Sequence, residues 1–193
     1  MIIGITGGTG SGKTTLLKLM ERQGVLILDC DAIYHELLQT DPVLTAAIET
    51  RFPGTVENGM LQCKKLGNIV FFDETALSDL NKITHAAIYE EVLRRLQNHC
   101  GHAAVDAIGL FESGMDKLCD ATVAVTAPAD VRLQRLMKRD RISAAYAQSR
   151  IDAQPDEGWF RGKCGYILEN DGSEEEFQTK CLAFLQELGI MKA

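Results

Sequence analysis

The most constraining feature of this chain is a glycine-rich segment near its start, residues 7–14, with the sequence GGTGSGKT. It matches the pattern G-x-x-x-x-G-K-[ST] and follows a short apolar run, residues 1–6, that is typical of a buried strand. Residues 14–21 carry the apolar spacing of a helix. A strand, a glycine turn and a helix N-terminus form a cradle for phosphate groups, because backbone N–H groups point at the anion. The segment therefore predicts a nucleotide-binding P-loop.

Side chains of the P-loop have predicted roles beyond those of its backbone. Lys13 is expected to neutralise the β- and γ-phosphates, and the Thr14 hydroxyl to help hold Mg²⁺. A glycine turn without a ligand is the alternative, but it does not explain eight matching positions between a strand and a helix. The predicted nucleotide-binding residues of this region are Gly8, Thr9, Gly10, Ser11, Gly12, Lys13, Thr14 and Thr15.

The length and charge of the chain limit the class of protein. A chain of 193 residues favours one domain with a small insertion, and 46% hydrophobic with 24% charged residues is typical of a soluble globular protein. It has no apolar run long enough to cross a membrane, and it begins directly with the P-loop strand, so we expect no signal peptide and a cytoplasmic location. The formal net charge of −7 argues against nucleic-acid or membrane binding. We expect a small-molecule substrate and a monomer or weak homo-oligomer.

The six cysteines do not suggest a metal centre or a disulfide framework. No C-x-x-C pair occurs, so zinc-ribbon and thioredoxin motifs are not supported. In a reducing compartment we expect free, mostly buried thiols. The local cluster at 99–102, His-Cys-Gly-His, looks more like a helix end before a strand than a metal site.

Strand and helix signals alternate along the chain, which is typical of a parallel α/β sheet. We predict a P-loop NTPase three-layer fold with a five-stranded parallel sheet, a helical substrate-binding insertion and a helical lid. The last helix is predicted from a capping box at Ser173 and Glu176, and Ser143 is predicted to cap another helix. After the first strand, the predicted strands are 25–28, 102–105, 121–125 and 165–168, and the predicted helices include 83–98, 129–139 and 143–152. The predicted parts are a core of 1–40, 84–138 and 164–193, an insertion of 41–83, and a lid of 139–163.

Carboxylates follow two of the predicted strands, and ligands bind at the carboxyl ends of strands in open α/β sheets. Asp29 and Asp31 come after the second strand, and Asp106 comes after the third, with Glu112 a little further on. Asp31 is the candidate general base that orients an acceptor hydroxyl for phosphoryl transfer. The alternative is that Asp31 caps the helix predicted over 32–39, and one residue can do both. Asp106 is a candidate outer-shell contact to Mg²⁺.

Positive charge collects late in this acidic chain. Arg132, Arg135 and Arg139 share one face of a predicted helix, and Lys138, Arg141 and Arg150 are nearby. Such a cluster is suited to a lid that closes on ATP phosphates, because arginine binds phosphate oxygens in a fixed fork geometry. The alternative is a solvated helix face on which Asp130 and Asp140 pair with some of these charges.

Two fragments imitate GTPase motifs. Residues 106–109 match D-x-x-G, and residues 81–84 approach N-K-x-D without its final aspartate. Their order along the chain is the reverse of that in GTPases, and the second fragment lies at a predicted helix start rather than after a core strand. We interpret both as chance matches, which leaves a small kinase with a lid and a substrate insertion.

Taken in order along the chain, further motifs resemble those of the dephospho-CoA kinase family, in the nucleotide-kinase-like P-loop group. The P-loop alone is common to many NTPases, whereas the ordered set is more specific. The matching segments are ITGGTGSGKT at 5–14, DCD at 29–31, LGNIVF at 66–71, LFE at 110–112, RLMKRD at 135–140, RIDAQ at 150–154 and NDG at 170–172.

This resemblance implies transfer of the ATP γ-phosphate to the ribose 3′-hydroxyl of dephospho-CoA, which gives CoA and ADP in the last step of CoA biosynthesis. On the matching positions, it implies that Asp31 activates the hydroxyl and that Lys13 and Thr14 serve ATP and Mg²⁺. Arg139 is implied to reach the phosphates from the lid, and Asn170 to lie near the adenine. Arg135 is the arginine that could pack or pair instead of contacting a ligand.

The chain departs from the family pattern at several acceptor and lid positions. These are Ile108 and Gly109 for a usual Pro-Leu, Cys63 for an arginine, Ala86 for a proline after His85, Phe160 for a lid lysine and Gly165 for an aspartate. Because this chain keeps the P-loop and Asp31 of the family pattern, we expect it to transfer a phosphoryl group. The acceptor and the rate are the properties that could differ from those of the family. Two alternatives stay open: another small-molecule or nucleoside kinase on this scaffold, and a nucleotide-binding regulator without turnover.

Overall fold

A computed structural model describes residues 1–191 and divides the chain into two compact units. The first unit is formed by residues 1–28 and the chain from residue 100 onward, and the second by residues 29–99. No helix among the described residues is both long and apolar enough to cross a membrane.

The first unit is built on a five-stranded sheet. Its strands, in order across the sheet, are β2 (Leu26–Asp29), β5 (Ala103–Asp106), β1 (Ile2–Thr6), β6 (Ala121–Thr126) and β7 (Tyr166–Glu169). The pairs of β1 with β5, β1 with β6, and β6 with β7 are all parallel. This confirms the predicted five-stranded parallel α/β sheet. Each strand begins and ends within one residue of its predicted bounds.

Helices of the first unit bury the apolar side chains of the sheet. Strand β1 is buried through Ile3 and Ile5, which pack in one cluster with Leu16 of the first helix and Phe177 of the last. The capping box of Ser173 and Glu176 at the last helix is confirmed. The helices of this unit are α1 (Lys13–Arg22), a 3₁₀ turn (Met115–Leu118), α6 (Ala129–Asp140), α7 (Ala144–Asp152), α8 (Glu157–Lys163) and α9 (Glu174–Glu187).

The second unit is mainly helical and has its own small core of Leu44, Ile48, Phe52, Leu66 and Ala76. It contains α2 (Cys30–Thr40), α3 (Pro42–Arg51), α4 (Cys63–Val70) and α5 (Glu74–Gln97), with a two-stranded hairpin of β3 (Val56–Glu57) and β4 (Met60–Leu61).

Three local features differ from the sequence prediction. Helix α5 begins at Glu74 rather than at residue 83, because Asp73 caps it by accepting a hydrogen bond from Ala76 N at 2.9 Å. The hairpin was not predicted, although the Asn58-Gly59 turn has positive φ at both positions, as a two-residue hairpin loop requires. Helix α8 was also missed, and the Asp156 carboxylate caps it.

None of the six cysteines forms a disulfide bond. The prediction that they are mostly buried is wrong, since only Cys30 and Cys181 are buried, and Cys63 and Cys100 are exposed. Burial raises the pKa of the Cys181 thiol to about 12, which keeps it protonated and unreactive near neutral pH.

Candidate nucleotide-binding site

The P-loop lies in the first unit between the end of β1 and the start of α1. Gly12 is the N-cap residue of α1 and has a φ of 109°, a left-handed conformation that glycine adopts without a steric penalty. A glycine brings no side-chain acceptor to the first turn, so the helix N-terminus keeps its partial positive charge facing the loop. This arrangement is suited to binding an anion such as a nucleotide phosphate.

Neighbouring side chains pack closely against two glycines of the loop, and a side chain at either position would displace them. A Cβ added to Gly8 would lie 2.3 Å from Nη2 of Arg132, and one added to Gly12 would lie 2.2 Å from Nδ2 of Asn170. Real Cβ atoms essentially never approach other atoms this closely. The P-loop is therefore held in place by side chains from α6 and from the turn after β7.

The polar side chains of the loop have different environments. Nζ of Lys13 donates a hydrogen bond to the carbonyl of Gly7 at 2.8 Å, so the lysine reaches back across the loop. Thr14 is exposed in the first turn of α1, and Thr15 is half-buried. The hydroxyl of Ser11 is buried, and no described residue hydrogen-bonds to it.

Two of the three predicted cationic residues on α6 contact the P-loop backbone. Nε of Arg132 donates to the carbonyl of Thr9 at 2.9 Å. Nη1 of Arg135 donates to the carbonyls of Gly10 and Ser11 at 3.4 and 3.3 Å. Burial lowers the pKa of Arg132, which nevertheless stays protonated because an arginine titrates far above neutral pH. These two guanidinium groups place positive charge directly beside the candidate phosphate site.

Asn170 joins the loop to α6 from the other side. Its side chain is 5% exposed, and its Nδ2 donates to the carbonyl of Ser11 at 2.8 Å. Its Oδ1 accepts from Nη2 of Arg135 at 3.1 Å, and its backbone N–H bonds to Thr126 of β6. Asn170 thus stabilises the loop directly, and its predicted position near the adenine stays a prediction.

Arg139 has a different partner from the other two arginines. Its guanidinium donates to both carboxylate oxygens of Asp140, at 2.6 and 3.0 Å, and Arg150 donates to the same carboxylate at 2.7 Å. These hydrogen bonds lower the pKa of Asp140 to about 2, and the bond from Arg139 contributes most. Asp140 therefore pairs with Arg139, as the alternative interpretation of this helix face expected. The side chain of Arg139 is 59% exposed.

Asp106 is the last residue of β5, and it pairs in register with Ile5 of β1. It therefore lies at the carboxyl end of the parallel strands, the end at which the P-loop begins. Thr14 supplies a hydroxyl and Asp106 a carboxylate, which are the hard oxygen donors that Mg²⁺ prefers. Mg²⁺ in kinases is commonly held by one or two such groups together with substrate phosphates and water. The donor set of this unit therefore fits the ion.

The two aspartates after β2 are distinguished by their hydrogen bonds within the second unit. Oδ1 of Asp29 accepts from the N–H groups of Asp31 and Ala32 at 2.9 and 3.0 Å, so Asp29 is the N-cap of α2. The alternative that Asp31 caps this helix is wrong, because the helix begins at Cys30, two residues earlier than that alternative needs. The carboxylate of Asp31 is exposed in the first turn and has no capping role.

Several departures from the family pattern have a structural explanation. Phe160, in place of a lid lysine, is 3% exposed and packs edge-to-face on Trp159, so it belongs to the core of the first unit. Ala86 lines a mostly apolar cavity of about 670 Å³ between α2, α3 and α5. Ile108 is exposed, but its carbonyl accepts a hydrogen bond from the Thr6 hydroxyl at 3.0 Å. Nothing in the structure explains Cys63 or Gly165.

The sequence analysis missed one contact of the site. Oε1 of Gln154, a residue noted only as part of a motif, accepts from the N–H of Thr9 at 2.7 Å and from Nη2 of Arg132 at 2.8 Å. A pairing across such a separation in the chain has no local signal. The GTPase-like fragment at 81–84 lies inside α5, which agrees with its interpretation as a chance match.

A parallel sheet, a P-loop and arginines that converge on it define a P-loop NTPase fold, the class that includes many small kinases. Residues 1–176 match the family model described as dephospho-CoA kinase. The dephospho-CoA kinase of Moorella thermoacetica is 38% identical over 97% of this chain and 92% of its own length. The chain belongs to the dephospho-CoA kinase family.

Solved structures agree with this assignment. The crystal structure of TT1252 from Thermus thermophilus has a TM-score of 0.81 and 31% identity over 97% of both chains. The dephospho-CoA kinase from Campylobacter jejuni has a TM-score of 0.71 and 26% identity over 98% of both chains. The protein is therefore an enzyme of the kinase class, as predicted from the motifs.

Proposed function

We propose that this protein phosphorylates the ribose 3′-hydroxyl of dephospho-CoA with ATP, giving CoA and ADP. Membership of the dephospho-CoA kinase family is the observation that carries the proposal, and the P-loop geometry of the first unit supports it. The oxygen of the acceptor hydroxyl forms a bond to the γ-phosphorus while the bond from that phosphorus to the β–γ bridging oxygen breaks. The hydroxyl proton passes to a carboxylate, and ADP leaves.

The nucleotide is bound by the residues of the P-loop. Backbone N–H groups of residues 8–15 surround the phosphates, and Lys13 exchanges its bond to the Gly7 carbonyl for phosphate oxygens. Arg139 exchanges one carboxylate oxygen of Asp140 for a phosphate oxygen, which costs little because the arginine side chain is 59% exposed and Asp140 keeps its bond from Arg150. Asn170 keeps the loop in shape throughout.

Thr14 and Asp106 are the residues that would hold Mg²⁺, Thr14 directly and Asp106 in the outer shell. When bound, the ion neutralises negative charge on the β- and γ-phosphates. The contribution of the chain itself is to keep a hydroxyl and a carboxylate at the end of the sheet where the P-loop begins.

Asp31 is the proposed general base. Its carboxylate is exposed, and Asp29 performs the capping of α2 in its place, so Asp31 is available to accept a proton from the acceptor. We further propose a cytoplasmic enzyme that is a monomer or a weak homo-oligomer.

The test is ADP release by the purified protein with Mg-ATP, measured with and without dephospho-CoA, together with the mass of the product. A rate that depends on dephospho-CoA and a mass gain of one phosphate would support the proposal. A rate that depends instead on a nucleoside or another alcohol would assign a different acceptor. ATP binding without acceptor-dependent ADP release would favour a regulatory role.

A further inference from the structure

One hydrogen-bond donor of the P-loop and one of α6 converge on the same acceptor. The N–H of Thr9 and Nη2 of Arg132 both donate to Oε1 of Gln154, at 2.7 and 2.8 Å. Nε of Arg132 donates at the same time to the carbonyl of Thr9 at 2.9 Å. The three residues close a ring, so the direction of the guanidinium is fixed relative to the Thr9 N–H.

The acceptor at this point is neutral, whereas one of the donors is charged. Arg132 is half-buried, and its guanidinium meets an uncharged amide oxygen rather than a carboxylate. An arginine with a converging backbone N–H binds an anionic oxygen more strongly than a neutral one, because the anion adds attraction between opposite charges to the hydrogen bonds. The point is thus better matched to a phosphate oxygen than to its present occupant.

The position of the ring along the loop indicates which phosphate it would meet. Nζ of Lys13 lies 2.8 Å from the carbonyl of Gly7, so the lysine reaches back to the N-terminal half of the loop, which also carries Thr9. The P-loop lysine binds the β- and γ-phosphates. The Thr9–Arg132 point therefore lies toward the terminal phosphate rather than toward the adenosine.

We propose that the Thr9 N–H and Arg132 form a subsite for an oxygen of the terminal phosphate, and that the Gln154 side chain is its exchangeable occupant. The amide oxygen and a phosphate oxygen cannot both accept these two hydrogen bonds, so nucleotide binding must break the contacts of Gln154. Gln154 lies between α7 and α8, and the exchange therefore releases this connection from the P-loop. The inference rests on nucleotide binding at the proposed site but not on the identity of the acceptor.

The experiment is calorimetric titration of a non-hydrolysable ATP analogue, and separately of ADP, at fixed Mg²⁺ and ionic strength. Replacing the occupant, Gln154→Ala, is expected to tighten binding of the analogue about two- to tenfold, because one competing hydrogen-bonded side chain is lost. The change for ADP should be smaller, since ADP lacks the terminal phosphate. Gln148→Ala is the matched control, because the side chain of Gln148 bonds to Asp152 on its own helix α7 at 2.7 Å, and it should leave both affinities unchanged.

Weaker analogue binding by Gln154→Ala would overturn the inference, since it would show that Gln154 supports the bound state. Unchanged binding would overturn it equally, because no competition would exist. A second variant, Gln154→Glu, places a carboxylate at the same point and is expected to weaken analogue binding roughly tenfold. If Gln154→Ala does not fold by circular dichroism, Gln154→Glu decides, and equal or tighter binding by it contradicts the inference. Failure of dephospho-CoA-dependent ADP release would reject only the proposed acceptor.

Discussion

The P-loop in the first unit and the proposed acceptor-side segments of the second unit present their functional groups in opposite ways. The P-loop is enclosed by Arg132, Arg135 and Asn170, each hydrogen-bonded to its backbone. In the second unit the Asp31 carboxylate is exposed, and Phe71 and Phe72 are 79% and 86% exposed. The comparison shows a P-loop that its neighbours hold in place, and, on the proposed function, we expect the acceptor side to gain its contacts from the substrate.

The largest expected effect separates catalysis from folding on the acceptor side. Asp31→Asn is expected to lower kcat about 10²–10⁴-fold, the usual contribution of a general base, while ATP affinity stays within about twofold. Asp29→Asn is the matched control, because asparagine caps a helix as well as aspartate does. Steady-state ADP release and analogue titration measure both variants. Wild-type turnover by Asp31→Asn would remove Asp31 from the mechanism.

A somewhat smaller loss is expected from the nucleotide side, where binding and catalysis should fall together. Lys13→Ala removes the cation that binds the β- and γ-phosphates, and we expect kcat/KM to fall about 10²–10³-fold with weaker ATP binding. Lys18→Ala changes an exposed lysine on the same helix and should have no effect. Unchanged ATP affinity in Lys13→Ala would contradict the assignment of the P-loop.

The idea of a site formed in advance predicts a loss of stability from a P-loop neighbour. Asn170→Ala removes two hydrogen bonds at a buried position, one to the Ser11 carbonyl and one from Arg135, which should cost about 1–3 kcal/mol of unfolding free energy. In a chain of this size, Tm should fall by roughly 2–4 °C per kcal/mol. Asn98→Ala, at an exposed asparagine that bonds to the Arg94 carbonyl, should change stability by less than about 0.5 kcal/mol. Equal Tm values for the two variants would contradict the idea that Asn170 and its neighbours form the P-loop in advance.

The smallest expected effect is a pH dependence in the Asp140 cluster. The folded-state pKa of Asp140, about 2, lies below its unfolded value of about 3.9, so its stabilising contribution is complete above pH 4. The contribution is lost as the pH falls from about 4 through 2, when protonation breaks the pairs with Arg139 and Arg150. Thermal melts across this range should show a steeper acid-side loss for wild type than for Asp140→Asn. Parallel curves would show that the cluster does not stabilise the fold.

Local signals predicted most of the fold, and they did so where a segment carries its own periodicity or cap. The five strands and the capping box at Ser173 are of this kind. Helix α5 begins at Glu74 rather than at residue 83, and the Asp73 cap is the local signal that marks this start. The hairpin was missed because its strands are only two residues long, too short to show alternation.

The site was predictable only to the level of residue types. The motif identified the P-loop glycines, Lys13 and Thr14, and their roles stay predictions. Which arginine meets which carbonyl depends on tertiary packing, and the sequence did not separate Arg132, at the loop, from Arg139, at Asp140. The contact of Gln154 joins residues far apart in the chain, and no periodicity or cap reports such a pairing.

Helix α8 also contains the only tryptophan of the chain, Trp159. Its ring is half-buried and meets Phe111 and Phe160 edge-on, with centroids 5.5 and 5.2 Å away. Intrinsic fluorescence excited at the indole band therefore comes from a single place, next to the connection that holds Gln154. Any displacement of α8 from Phe111 alters the emission, so the native chain carries its own optical reporter of this segment and needs no added label.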